Sequence, residues 1–278
     1  MNRANLLAVA MAAGIGALGA APVCLADDAD KFGAYREAVS GFSPGDFWID
    51  DGERLFHAKR GPNEVSLEQC DFGKGPGVID GVYAEMPRYF EDTGRVETLE
   101  GRLLTCMTEL QGRKREDILE MHYVNAAEED DRPSELAQLS AYIASHSNGR
   151  TFDTKPENEA ERHAYELGKK VFWRRMGAMD LSCANCHGHD DRVLRGVELP
   201  NLLDPETAGR IMGAFPAYVL KDANVRTQWW RNQRCILAMR LPWLRTGSDI
   251  DTALTLFMTI QASDSDEEIK VPGTKPRA

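Results

Sequence analysis

Cys183-Ala184-Asn185-Cys186-His187 is the stretch on which the fold of this 278-residue chain turns. The two thiols of C-x-x-C-H stand one helical turn apart, so both can form thioethers to the vinyl groups of a porphyrin. The imidazole that follows is delivered to the iron. A zinc site calls for a second Cys or His pair, and a thioredoxin-like pair for a βαβ setting. The sequence offers neither, so the motif predicts one covalently attached haem c, with Cys183 and Cys186 holding the ring and His187 the iron.

Outward from the motif, the chain repeats itself. A shift of 116 residues lays Gly52-Glu53-Arg54-Leu55-Phe56 on Gly168-Lys169-Lys170-Val171-Phe172, and carries Gly61 onto Gly177, Ser66 onto Ser182 and Cys70 onto Cys186. The haem motif then falls on Leu67-Glu68-Gln69-Cys70-Asp71, which has kept one cysteine and lost the other along with the histidine. A shift of 129 pairs Pro87 with Pro216, Tyr89 with Tyr218, Val96 with Val225, Thr98 with Thr227, Arg102 with Arg231 and Cys106 with Cys235. The difference of 13 fits an insertion after the haem motif, at 188–200. A third block lays 134–143 on 249–258 at a shift of 115, each a polar cap followed by an apolar helical pattern.

These blocks predict a mainly α protein of two cytochrome-c-like lobes related by an internal repeat, with only the C-terminal lobe binding haem. Ala160, Ala164, Leu167 and Val171 recur at helical spacing and predict a helix over 156–176 with Pro156 in its first turn. No convincing run of alternating strands is present. The expected divisions are a signal peptide at 1–26, a haemless domain at 27–149, a linker near Ser147-Asn148-Gly149-Arg150, a haem-binding domain at 150–262 and a loose tail at 263–278.

The N-terminus carries one charged side chain, Arg3, then an uncharged Ala/Leu/Gly-rich run to Ala26 and the acidic start Asp27-Asp28. That is the layout of a secretory signal with cleavage near Ala26. The rival reading is a retained anchor, because the run is long enough to cross a bilayer; its weak hydrophobicity and cleavable end oppose that. Pro22-Val23 is a poor approach to a lipidated Cys24. The mature chain is expected in the periplasm, not membrane-spanning, in an oxidising compartment. The net charge is −11, or −12 once the segment bearing Arg3 is removed, which excludes nucleic acid as a partner. Positions 225–248 depart from this balance with five arginines, at 226, 231, 234, 240 and 245, and no acid. Anything anionic is expected there.

Five cysteines remain after cleavage. Cys70 and Cys106 occupy the two places that flank the haem in the other lobe, so with the haem gone they can close on each other as a disulfide; two free buried thiols are the competing reading. Cys235 is the odd one. By the repeat it lies on a helix facing the side of the haem opposite His187, which makes its sulfur a candidate sixth ligand. Arg231 is four residues earlier on the same helical face, and nearby guanidinium groups depress a thiol's pKa.

Three other readings stand beside that one. Cys235 can be a buried small hydrophobe. Met239, one turn further on, can be the axial ligand of a plain electron-transfer cytochrome, although its repeat partner is Leu110. The arginines can be a solvated face. Trp229 and Trp230 are expected to pack against haem or a partner, and the histidines at 57, 122, 146, 163 and 189 show no ligand spacing beyond His187-Gly188-His189.

Together these residues resemble the A subunits of the SoxAX cytochromes of sulfur-oxidising bacteria. The likeness is carried by the haem motif, W-W-R-N-Q-R-C-I-L-A-M-R around Cys235, E-T-L-E-G-R-L-L-T-C around Cys106 and the ending L-F-M-x-x-x-A. Leu67 and Asp71 depart from the two-haem members, and the chain is similar to the single-haem variety, in which a disulfide replaces the lost haem. The resemblance implies an L-cysteine S-thiosulfotransferase that oxidatively couples thiosulfate to a cysteine of the carrier protein SoxYZ, with electrons leaving through a heterodimeric partner, SoxX. It also implies that Cys235 is haem ligand and active-site cysteine, carried as a persulfide, and that Arg231 helps bind substrate. Thiosulfate is a small dianion, and a local cationic funnel at 225–248 suits it. Thiolate in place of Met lowers a haem's potential, which makes this haem a poor electron acceptor.

Overall fold

Nine α-helices and seven very short strands are found among the described residues of the computed structural model, which are 43–125, 134–194, 196–220 and 222–275. The segment read as a signal peptide lies outside them. Most of the helices start from a polar side chain that caps the first turn. Helix α1, Asp46–His57, is followed by β1 (Arg88–Phe90) and β2 (Arg95–Glu97), an antiparallel hairpin. Thr98 then caps α2, Leu99–Glu109, by accepting the Gly101 N–H. Next come α3, Arg115–Asn125, and α4, Glu135–Ser145, the latter capped by Ser134.

A capping box between Asn158 and Glu161 opens α5, Glu159–Trp173. The helix expected from residue 156 therefore begins three residues later, with Pro156 outside it. The one-turn helix α6, Cys183–His187, carries the haem motif, and the exposed hairpin β3 (Val193–Leu194) and β4 (Val197–Glu198) occupies the expected insertion. Helix α7, Pro205–Met212, precedes β5 (Ala217–Val219) and β6 (Asn224–Arg226). Then follow α8, Gln228–Ala238, capped by Thr227, and α9, Asp249–Ala262, capped by Ser248 rather than by the Asp249 that the third block suggested.

Two expectations are corrected. The absence of alternating runs concealed three small sheets, whose two- or three-residue strands are too short to show a period of two. The tail read as loose is packed over its described part: Ile269 and Val271 are buried, and β7 (Gly273–Lys275) adds in parallel to β5. It is also tied to the expected linker, since Gly149 donates its N–H to the Ile269 carbonyl and the Asn148 side chain bonds Val271 at both its N–H and its C=O.

The main apolar core among the described residues runs from Leu55 and Phe56 to Phe257, Ile269 and Val271, with two smaller clusters, one of them around Trp229 and Trp230. Close helix packing depends on glycine at two matching places. A Cβ on Gly52 would run into the Gln138 carbonyl, and one on Gly168 into the Ala253 carbonyl, so α1 lies directly on α4 and α5 on α9. Among the described residues no helix is long and apolar enough to cross a membrane.

Candidate functional site

The Cys183–His187 turn is held shut from its own first residue. Ser182 Oγ accepts the Asn185 N–H at 3.2 Å and Asn185 Oδ1 accepts the Ser182 N–H at 2.8 Å, a capping box that fixes where Cys183 and Cys186 point. His187 Nδ1 lies 2.9 Å from the Pro200 carbonyl, an acceptor only, so Nδ1 carries the proton and Nε2 presents its lone pair. Burial first, with the positive charge of Arg231 behind it, holds the imidazole below its usual pKa and so neutral. The Ser182-x-x-Asn185 spacing was legible in the sequence. Pro200 gave no signal there, because the carbonyl belongs to the backbone.

Helix α8 brings Cys235 to the same place. Its thiol is half-buried and within electrostatic reach of Cys183 and Cys186, while Arg231 acts on both Cys235 and His187. Three sulfurs, a neutral imidazole and one guanidinium thus converge from α6 and α8. The expected depression of the Cys235 pKa is overturned. Burial pushes this thiol up, and Arg231 and Arg234, although both pull it down, do not outweigh the desolvation.

The arginine segment is less uniform than its sequence suggests. Arg226 is buried, 3.1 Å from Asp222 and stacked over Trp230, and so belongs to the scaffold. Arg231 and Arg234 are half-buried at the site, and Arg240 and Arg245 are exposed. Among the described residues no carboxylate forms an ion pair with Arg231. Trp229 packs inside the protein, stacked on His122 at 4.5 Å and donating to the Leu244 carbonyl. Met239 closes α8, and its carbonyl faces Gly177.

In the other half, Cys70 and Cys106 are joined as a disulfide with Cα atoms 5.8 Å apart. Arg102 sits beside it, buried, donating to the Asp71 carbonyl and pairing with Asp92 at 2.8 Å and Glu97 at 3.4 Å.

Residues 51–152 match the family model of the SoxA/TsdA cytochrome c domain. The L-cysteine S-thiosulfotransferase subunit SoxA of Hydrogenophilus thermoluteolus is 36% identical to this chain over 98% of both lengths. The chain belongs to the SoxA family. The SoxA subunits of Hydrogenobacter thermophilus and Paracoccus pantotrophus are each 28% identical, over 84% of both chains in the first case and over 78% of this chain and 67% of the relative in the second. In the crystal structure of SoxXA from P. pantotrophus, a chain 24% identical superposes with a TM-score of 0.64, covering 84% of this chain and 79% of that one, a likeness of fold. The cytochrome c domain implies haem c as cofactor.

Proposed function

We propose that this protein is the haem-bearing subunit of a periplasmic L-cysteine S-thiosulfotransferase that oxidatively couples thiosulfate to a cysteine of the carrier protein SoxYZ. The observation that carries the proposal is the grouping of Cys235, Cys183, Cys186 and His187 around Arg231, which pairs with no acid among the described residues. The donor set fits one covalent haem c: Cys183 and Cys186 would carry the thioethers, and His187 Nε2 and the Cys235 sulfur would hold the iron. When bound, haem c supplies an iron that favours the thiolate form of Cys235 and a redox centre beside it.

Arg231 holds the sulfonate end of thiosulfate by charge-assisted hydrogen bonds, with the positive charge of Arg234 alongside. Cys235 works as a persulfide, which places sulfur opposite the sulfane end of the substrate. In the net reaction the carrier thiol gives up its proton, a bond forms between its sulfur and that sulfane sulfur, and two electrons leave to SoxX. The likeness to a chain of a SoxXA complex supports that partner, and the N-terminal signal layout supports export.

A two-lobe architecture with haem in the second lobe is part of this reading. It is supported by paired features: the caps Thr98 and Thr227, the positive-φ glycines Gly61 and Gly177 under the Gln111 and Met239 carbonyls, and the hairpins β1–β2 and β5–β6. It is supported further by a cytochrome c family match that covers the half without C-x-x-C-H. Replacement Cys235→Ala is expected to retain covalent haem and to abolish thiosulfate-dependent electron transfer, and the intact mass of the wild type to exceed its sequence plus haem by one sulfur. Full turnover in the variant would overturn the proposal, and a Met-to-iron absorption band in the native protein would point to Met239 ligation and simple electron transfer instead.

A further inference from the structure

Away from the sulfur site, three titratable side chains are buried together where α2, α3 and α9 meet the start of α8. Glu100 lies in the first turn of α2, His122 on α3 and Asp251 in the first turn of α9, and all three are at most 8% exposed. His122 Nε2 is 3.8 Å from Glu100 Oε1, and both atoms, like Asp251 Oδ1, lack a hydrogen-bond partner. The Glu100 carboxyl lies beside the N-terminus of α8, where the Thr227 hydroxyl and the Trp229 N–H both act on it, and the His122 ring that it faces packs on Trp229 at 4.5 Å. Thr227 in turn accepts the Trp230 N–H. The first turn of α8, whose N–H groups no intrahelical carbonyl can satisfy, is thus bounded by its own threonine cap and by a buried side chain of α2.

Beside this carboxyl is a cavity of about 40 Å³ whose wall is mostly apolar, Leu99 and Met212 among it, with Glu100, Ser140, Thr227 and Gln228 along its polar edge. Of these residues, Ser140 Oγ, Gln228 Oε1 and Glu100 Oε1 have no hydrogen-bond partner. At ~10–15 Å³ each, roughly three waters fit, and the polar edge offers them partners.

We propose that Glu100 is a positioning residue for the sulfur site: its buried carboxyl, with water in the adjoining cavity, fixes the first turn of the helix that presents Arg231 and Cys235. Arg231 follows Trp229 by two residues and Cys235 by six, so at 1.5 Å per residue the anchor sits about 9 Å below the thiol. A rotation at the anchor is carried rigidly to both catalytic side chains.

The acid form of Glu100 does this work. Burial first, then the charge of Asp251, raises its pKa to about 8, against the opposing bonds from Thr227 and Trp229. Asp251 is raised to about 7 by burial. His122 is lowered to about 3, by burial and then by Arg226, and stays neutral. Tyr83 also faces the carboxyl, and its own pKa is raised. A raised acid stabilises the fold fully below its unfolded pKa, and that contribution is lost as pH rises through the folded value. His122 has the opposite sign and acts only below its ordinary pKa of about 6.5, so between pH 6.5 and 8 the two acids act alone.

The inference rests on the proposed function, and the test separates the two. Ferric holoprotein is followed by EPR and by thermal unfolding from pH 6.5 to 9, in the wild type, Glu100→Gln and Glu100→Ala. The wild type is expected to show a change in the haem signal with a midpoint near pH 8 and a falling melting temperature. Glu100→Gln, neutral and of equal size, should keep the signal of neutral pH throughout and lose the part of the slope that Glu100 supplies. Glu100→Ala should shift the signal at every pH and lower kcat/KM by on the order of tenfold or more. The inference is overturned if the midpoint survives in Glu100→Gln, or if Glu100→Ala has both the wild-type signal and wild-type turnover. Failure of the proposed function shows differently, as thiosulfate turnover that survives Cys235→Ala.

Discussion

Arg102 and Arg231 each stand four residues before a cysteine, on helices that both start from a threonine cap, and their surroundings are opposite. Arg102 is buried, stacked over Phe90 at 4.1 Å and paired with Asp92 and Glu97. Arg231 is half-exposed and meets no acid among the described residues. Under the shift of 129 that aligns the two cysteines, Asp92 and Glu97 fall on Lys221 and Arg226. The half without C-x-x-C-H has consumed its positive charge internally, whereas the half with it has removed the acids and kept an arginine for something outside. Elsewhere in the first half the space is closed as well. Asp71, in the histidine's place, accepts the N–H groups of Gly73 and Gly75, and Phe72 is fully buried against Phe56. What separates the two halves is the counterion as much as the C-x-x-C-H motif.

The sharpest way to break this comparison is to remove both arginines separately. Arg102→Met leaves Glu97 buried without its cation, which costs about 3–5 kcal/mol, so chemical denaturation should show a large loss of stability while the folded fraction turns over normally. Arg231→Met should leave stability within about 0.5 kcal/mol and lower kcat/KM for thiosulfate by roughly 10²–10³-fold, the range for losing one fixed donor to a developing anion. If the two variants exchanged phenotypes, Arg231 would be scaffold.

The disulfide gives the next effect in size. Its loop separates cysteines 36 residues apart, for which the chain-entropy estimate is about 3 to 4 kcal/mol. Cys70→Ser with Cys106→Ser should therefore lower the melting temperature by on the order of 10 °C. The EPR signal of the ferric haem should not move, because neither cysteine contributes to the site. A changed signal would mean that the two halves are coupled through this bond.

Much of this was legible in the sequence because cysteines, capping residues and glycines hold their places when a repeat diverges. Cys70, Cys106, Cys183, Cys186 and Cys235, with His187, were all marked by spacing or by repeat alignment. What was not legible depends on atoms that carry no residue signature. The hold on His187 is a Pro200 carbonyl, and the strands are too short for a pattern. The tail read as loose because its acidic and proline-rich composition hides Ile269 and Val271, which are buried. The thiol pKa of Cys235 went the other way because desolvation grows with burial, which sequence does not show, while the arginines that oppose it are plain to see. Glu100 passed unnoticed since a glutamate after a threonine cap is ordinary at a helix start. That it serves a second helix is a tertiary fact.

The smallest expected difference lies in the two caps. Thr98 accepts the Gly101 N–H at 3.0 Å and Thr227 the Trp230 N–H at 3.4 Å, so each Thr→Ala should cost about 1 kcal/mol as the loss of an N-cap. The Thr227 hydroxyl also acts on the Glu100 carboxyl, and losing that interaction should add roughly 0.5–1.5 kcal/mol to the second substitution alone. The direction of the pH effect follows as well. The Thr227 hydroxyl favours the charged form of Glu100, so its loss moves that pKa further up, and the pH-dependent fall in stability should reach its end above pH 8 instead of near it. Thr98→Ala, whose cap serves only its own helix, should leave that midpoint where it is. Equal costs and equal midpoints for the two variants would mean that the start of α8 is held no differently from the start of α2, and the asymmetry between the halves would then be confined to the arginines and the C-x-x-C-H motif.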